Sequence, residues 1–169
     1  SLADVWAGMA SDTITVSISR AVLSPLLREM LEGSSAPGAQ ETYENRTKAR
    51  QFWYDAGRSI TEVDPSYLIR YAIKEANAKI ANALQIAGSQ PPSTILVTGI
   101  RALDELQAAI KEGIIDLSIY VHRRNGKTVG DPTNQVQSSH TDLVFDNTGT
   151  LSDMRQRVHR LVRTLTKSK

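Results

Sequence analysis

The 169-residue chain contains no cysteine, which excludes disulfide bonds and thiolate metal sites. No run of apolar residues approaches the roughly 18 that a membrane-spanning helix needs, and the first residues carry no secretory signal pattern. The formal net charge of +2 gives no indication of a nucleic-acid partner. These absences favour one cytoplasmic domain without a membrane partner, and an apolar content of 40 % is enough for a single core.

The phosphate-binding P-loop is missing as well, although its last three letters occur at 126–128. The full motif reads G-x-x-x-x-G-K-[ST], and its first glycine would fall on Val121. A helix must follow directly, because its N-terminus holds the phosphate, whereas this sequence continues with VGDPTNQ. We interpret RRNGKTVG at 123–130 as a solvated loop and not as a nucleotide site.

The histidines and serines do not fall into catalytic patterns. His122, His140 and His159 lie on different predicted elements, without H-x-x-x-H or H-E-x-x-H spacing, so we predict no zinc site. The Ser-Ser-His sequence at 138–140 lacks a nucleophile elbow, which argues against a hydrolase triad.

Predicted strands and helices alternate, which favours an α/β fold of three layers with a mostly parallel sheet flanked by helices. Strand patterns occur at 13–19, 94–99, 116–122 and 141–146. Helical patterns occur at 2–9, 20–31, 41–56, 64–86, 101–112 and from a Thr150–Asp153 capping box onward. Gly57 and Gly113 are expected to end helices. The continuous apolar run TILVTG predicts a central strand, with Ile95 to Val97 buried on both faces.

Arginines follow three of the predicted strands. The segments are SRAVLSP, TGIRALDE and HRRNGKTVG. Because ligands of parallel α/β sheets bind beyond the carboxyl ends of the strands, these arginines indicate an anionic ligand.

Four longer segments occur in a recognisable order between residues 16 and 158. They are VSISRAVLSPLLREM, RQFWYDAGRSITEVDPSYLIRYAI, ILVTGIRALDELQAAIKEG and VFDNTGTLSDMRQRV. Their order and spacing resemble the deoxynucleoside monophosphate kinases of bacteriophages and bacteria, in the P-loop kinase group. The third segment is similar to a family stretch that usually reads like ITDVRFPNEAE, and the fourth to IDNDGTLEEL.

The resemblance implies one nucleotide kinase-like domain over residues 1–169, with ATP and Mg²⁺ as cofactors and a nucleoside monophosphate as acceptor. The acceptor would be bound by four arginines: Arg20, Arg50, Arg58 and Arg101. Two arginines would neutralise the transferring phosphates from a lid-like loop at about 123–141: Arg123 and Arg124. A turn near the donor base would contain Asp146, Asn147 and Gly149. The protein could also form a homodimer, and the sequence leaves this question open.

Two departures from the family pattern favour an alternative function. SLADVWAGM resembles the helix after the P-loop, so the first strand and the P-loop would lie upstream of Ser1, whether removed, omitted or never present. Gly99 stands where the family has the aspartate of "DVR" near the magnesium. The alternative is a catalytically silent nucleotide-binding or scaffolding protein that has lost the P-loop.

Each candidate residue also has a purely structural interpretation. Arg101 could pair with Asp104 or Glu105, Arg123 and Arg124 could be solvated charges, and the turn at 146–149 could cap a helix. The last helix is basic opposite its apolar side, which is typical of a solvated face, while a nucleic-acid patch is the less favoured reading. Its cations are Arg155, Arg157, Arg160, Arg163 and Lys167.

Overall fold

The computed structural model describes residues 2–9, 12–32, 45, 48, 50–87, 92, 94–122 and 135–167. Its helices are α1 (Leu2–Met9), α2 (Ser24–Glu32), α3 (Arg50–Val63), α4 (Tyr67–Ala87), α5 (Leu103–Lys111) and α6 (Leu151–Lys167). Its strands are β1 (Thr13–Ser17), β2 (Thr94–Thr98), β3 (Ile119–His122) and β4 (Leu143–Asp146). The predicted α/β class is confirmed. Within the described part of the chain, no helix is long and apolar enough to cross a membrane.

Local sequence signals set the ends of two helices as predicted. At the start of α6, the Thr150 N–H donates to Asp153 Oδ2 at 2.8 Å, and the Asp153 N–H donates to Thr150 Oγ1 at 3.2 Å. This reciprocal pair is the capping box, which satisfies donors that the first helical turn leaves without partners. After α5, Gly113 takes a φ of +66°, a left-handed conformation that ends helices and favours glycine.

Two predicted boundaries are wrong. β1 ends at Ser17, and residues Ile18–Leu23 form a π-helix that leads into α2. Gly57 does not end a helix but lies buried inside α3, which continues to Val63. A Cβ atom at position 57 would lie 3.4 Å from Leu23 Cδ1, so the missing side chain lets α3 lie close to the π-helix.

The strands form two separate parallel pairs. β1 pairs with β2, with Thr13 opposite Thr94, and β3 pairs with β4, with Ile119 opposite Leu143. Among the described residues, β2 has no partner on its other edge, and the same is true of β3. The described residues therefore do not show the single sheet of the predicted three-layer fold.

The position of β2 corrects the sequence prediction. All five of its residues are half-buried, whereas full burial was expected for Ile95 to Val97. Ile95 and Val97 pack against a core cluster with α4, and Leu96 packs against a second cluster on the opposite face. Both faces are thus covered, and we attribute the remaining exposure to the unpaired edge.

One apolar cluster connects the two strand pairs. It contains Trp6 of α1, Phe145 of β4, and Met154 and Val158 of α6. Half-buried Leu96 of β2 and Ile119 of β3 pack against it, and α1 contacts both β1 and α6. The same helix therefore covers strands from both pairs.

Candidate anion-binding site

The candidate site lies at the carboxyl ends of β1 and β2, where two irregular segments lie side by side. The π-helix follows β1 directly. Such helices are rare in proteins overall, but where they occur they often lie at functional sites. Gly99 follows β2 with a φ of +100°, a conformation that side-chain-bearing residues rarely adopt. The nearest neighbour of a Cβ atom at position 99 would be the Cβ of Ile18, at 3.8 Å. The positive φ, and not lack of space, therefore accounts for this glycine.

Arg58 connects α3 to the segment that follows β2. Its Nη1 donates to Asp104 Oδ2 at 3.2 Å, and its Nε donates to Glu62 Oε1 at 3.1 Å. The hydrogen bond to Glu62 and the charge of Asp104 raise the pKa of Arg58 above its ordinary value. Arg58 is thus held against the start of α5 by Asp104, and Asp104 lies only three residues beyond Arg101, another predicted acceptor arginine.

Arg101 lies between β2 and α5 with an exposed side chain and a fixed backbone. Its carbonyl oxygen accepts hydrogen bonds from the N–H groups of Gln135 at 2.9 Å and Val136 at 3.2 Å. The side-chain oxygen of Gln135 in turn accepts a bond from the Leu103 N–H at 3.4 Å. The backbone at the base of the Arg101 side chain is therefore anchored by a chain segment more than 30 residues away.

Glu105 is a buried carboxyl group next to these arginines, with only 5 % of its surface exposed. Its Oε1 has no hydrogen-bond partner among the described residues. The pKa of Glu105 is raised to about 7, mainly by burial and in part by the charge of Asp104, against the opposing effect of a hydrogen bond from the Arg101 backbone. The site therefore carries less negative charge near neutral pH than its carboxylates suggest, which suits an anionic ligand.

From the sequence, Asp104 and Glu105 were expected only as possible ion-pair partners of Arg101. In the structure, Asp104 binds Arg58 of a distant helix, and Glu105 turns inward. An acidic residue in the first turn of a helix is typical of helix-dipole compensation, so the sequence carried no signal for the burial of Glu105.

The side chains of the other predicted phosphate-binding arginines lie outside the described part of the structure. Arg123 and Arg124 lie outside the described residues, as do the side chains of Arg20 and Arg50. The backbone of Arg20 lies in the π-helix, and Arg50 begins α3. Of the four acceptor arginines, Arg58 is thus tied by a described contact to Asp104, in the segment that follows Arg101.

The predicted donor-base turn is tied into the fold by its own contacts. Arg157 Nη1 donates to the Asp146 carbonyl oxygen at 2.7 Å and lies 3.5 Å from Asp146 Oδ2. The Thr148 hydroxyl donates to Asp146 Oδ2 at 2.9 Å. Gly149 has a φ of +94°, and a Cβ atom there would lie 2.7 Å from Asp153 Oδ2. The structural interpretation accounts for Asp146 and Gly149, and a role toward a donor base stays a prediction.

His122 lies opposite Asp146, at the carboxyl end of the β3–β4 pair. The Asn147 N–H donates to the His122 carbonyl oxygen at 2.7 Å, so Asn147 continues the pairing beyond β4. The imidazole Nδ1 of His122 lies 3.8 Å from Asp146 Oδ1. The backbone of Asn147 is therefore fixed by this pairing, and the side chain of Asp146 is held by Arg157.

The described residues do not fit the cofactors that the resemblance implies. Gly99 offers no carboxylate at the end of β2, and no group of three metal-ligating side chains occurs among the described residues. The printed sequence contains no complete P-loop for the phosphates of ATP.

Comparison of this chain with protein-family models, with curated proteins and with solved structures finds no match. Any assignment of function therefore depends on the residues and contacts described above.

Proposed function

We propose that this chain is most of a nucleoside monophosphate kinase-like protein, which would transfer the γ-phosphoryl group of ATP to a (deoxy)nucleoside monophosphate. Such transfer needs mainly positioning and charge neutralisation, so arginines without an acid–base pair are sufficient as a signature. The proposal requires a strand and a P-loop that the printed sequence does not contain.

The observation that carries the proposal is that, among the described residues, β2 and β3 each have one edge without a partner strand. Removing the middle strand from a five-stranded parallel sheet would leave two parallel pairs beside each other. β1–β2 and β3–β4 have this form, and Leu96 of β2 and Ile119 of β3 already pack against one cluster. We therefore propose the strand order β1, β2, additional strand, β3, β4, with α1 following the additional strand. In this arrangement β2 would be central, as its apolar sequence predicts.

The arginines near the ends of β1 and β2 support an acceptor-phosphate site. Arg58 binds Asp104, which lies three residues beyond Arg101, at the edge where parallel α/β sheets bind ligands. A phosphate dianion would replace the carboxylate oxygens that now hold Arg58, and guanidinium groups bind phosphate through paired hydrogen bonds. Asp104 would then act as a positioning residue that keeps Arg58 in place before the nucleotide arrives.

The second candidate is a catalytically silent nucleotide-binding or scaffolding protein. Gly99 favours it, because the end of β2 lacks the carboxylate that the kinase family has near its magnesium. The two candidates differ in what precedes the Ser1 codon in the gene.

The reading frame upstream of Ser1 separates the two candidates. We expect an in-frame G-x-x-x-x-G-K-[ST], preceded by a strand pattern, and the protein that includes it should release ADP when mixed with ATP and a nucleoside monophosphate. Turnover at roughly 1–100 s⁻¹ is the usual range for kinases. A frame without the motif, or nucleotide binding without ADP release, would favour the silent protein.

A further inference from the structure

The end of the chain is strongly basic in a protein that is otherwise acidic. From Met154 to Lys169 the sequence holds four arginines and two lysines and no aspartate or glutamate. Because the whole chain carries a net charge of +2 and this segment carries +6, the rest of the chain carries −4. The positive charge is thus concentrated on α6 and the two residues that follow it.

The structure divides the arginines of α6 into two groups. Arg157 is bound to Asp146 and so serves the fold. Arg155 and Arg160 are exposed, and neither forms an ion pair with a carboxylate in the described part of the chain. His159 and Arg163 are exposed as well. We call Arg155, His159, Arg160 and Arg163 the basic stripe.

The basic stripe runs along one side of the helix. Arg155, His159 and Arg163 follow each other at four-residue intervals, which is a rise of about 6 Å per step. Arg160 lies beside them, and Gln156 lies four residues before Arg160, on the same side. The stripe therefore presents cationic and hydrogen-bonding groups in a row about 12 Å long.

The environment of the stripe argues against a membrane surface. Helices that lie on membranes insert an apolar face between the lipids. The apolar side of α6 is instead turned into the core, where Met154 and Val158 are buried in the cluster with Trp6. Apart from Leu151, the exposed side chains that the structure describes on α6 are polar.

A shallow depression beside the stripe gives the partner a second type of contact. Its lining consists of Met9, Arg155, Gln156, His159 and Arg160. Met9, at the end of α1, is 40 % exposed. An exposed thioether beside arginines suits a ligand that carries apolar rings as well as phosphates.

We propose that the basic stripe binds the phosphodiester backbone of a nucleic acid, with sugars or bases lying against Met9. A row of arginines matches a polymer that carries negative charges at regular intervals, and guanidinium groups bind phosphate oxygens in pairs. The overall charge alone gave no reason to expect this partner, because the negative charge of the rest of the chain offsets most of the positive charge on α6.

The test is fluorescence anisotropy of labelled single-stranded and duplex DNA, each longer than the roughly 16 nucleotides that a small domain covers. The variant Arg155→Gln/Arg160→Gln removes two exposed charges from the stripe. The control Lys79→Gln/Lys111→Gln removes two exposed charges from α4 and α5. At low salt we expect the stripe variant to bind at least about tenfold more weakly, and the control to bind as the unaltered chain does.

The salt dependence gives an independent measure of the contacts. Each phosphate contact to duplex DNA contributes about −0.9 to the slope of log K against log salt concentration, so the stripe variant should show a slope shallower by about 2. If both variants bind DNA equally more weakly, the effect depends on net charge and not on the stripe, and the proposal is overturned. So would the absence of binding at low salt, or preference for anionic vesicles or a polyglutamate peptide over DNA.

Discussion

Replacement of Glu105 by glutamine should remove a loss of stability that the folded protein suffers as pH rises. Glu105 is buried with an unpartnered Oε1, and its pKa rises from 4.5 to about 7 on folding. Between these values the folded protein keeps a proton that the unfolded chain releases. The free energy of unfolding therefore falls as pH increases from about 4.5 and reaches its lower level above about 7.

The size of this effect follows from the two pKa values. One pKa unit corresponds to roughly 1.4 kcal/mol, so the rise from 4.5 to about 7 corresponds to about 3 kcal/mol. Glu105→Gln keeps the shape of the side chain without the titration, and should be more stable than the unaltered protein at pH 8 but not at pH 5. Part of that gain is offset because the buried amide N–H₂ also needs partners.

Urea unfolding at several pH values between 5 and 8 measures this directly. The window lies above the acid range in which Asp142 and Asp153 titrate, since hydrogen bonds from Ser118 and Thr150 lower their pKa values. Glu29→Gln, on the exposed side of α2, is the matched control and should leave the pH dependence unchanged. If Glu105→Gln retains the full pH dependence of the unaltered protein, the burial argument is wrong.

Three further predictions concern the glycines, β2 and activity. Gly149→Ala should cost about 1–2 kcal/mol of stability and Gly99→Ala about 1 kcal/mol, because both positions have a positive φ. The cost is larger at 149 because the added Cβ would lie 2.7 Å from Asp153 Oδ2, whereas at 99 the nearest atom lies at 3.8 Å. Equal Tm values for the two variants would contradict this. Ile95→Ala should cost about 1–2 kcal/mol, below the 2–5 of a fully buried isoleucine, and a larger loss in urea unfolding would mean that β2 is fully buried. The 169-residue chain alone should release no ADP in a coupled assay with ATP and any deoxynucleoside monophosphate, and measurable turnover would refute the need for an added P-loop.

The local features of the fold could be read from the sequence, and the features set by distant contacts could not. The capping box of α6 and the end of α5 at Gly113 depend on residues within one turn, so both were predictable. Gly57 has the same local appearance as a helix-ending glycine, but its role is to bring α3 close to Leu23. That contact is invisible in a pattern of neighbouring residues.

The candidate site shows the same division. The place of Arg101 was predictable, because it comes two residues after the apolar strand pattern TILVTG, whereas its role toward a phosphate stays a prediction. The pairing of Arg58 with Asp104 joins residues 46 positions apart, and the bond from Val136 to Arg101 joins residues 35 positions apart. The unpaired edge of β2 also escaped prediction, since the run TILVTG has the composition of a strand with neighbours on both sides.

The most direct test of the proposed function is calorimetric titration of deoxynucleoside monophosphates into the protein with its upstream segment. Arg101→Ala should weaken binding by about 1.5–3 kcal/mol, the range for hydrogen bonds to charged groups. Arg101→Lys should recover only part of this, because an ammonium group cannot form the paired bonds of a guanidinium. Lys111→Ala, at the far end of α5, should bind as the unaltered protein does. Equal affinities for the Arg101→Ala and Lys111→Ala variants, or no binding of any monophosphate, would contradict an acceptor site at the ends of β1 and β2.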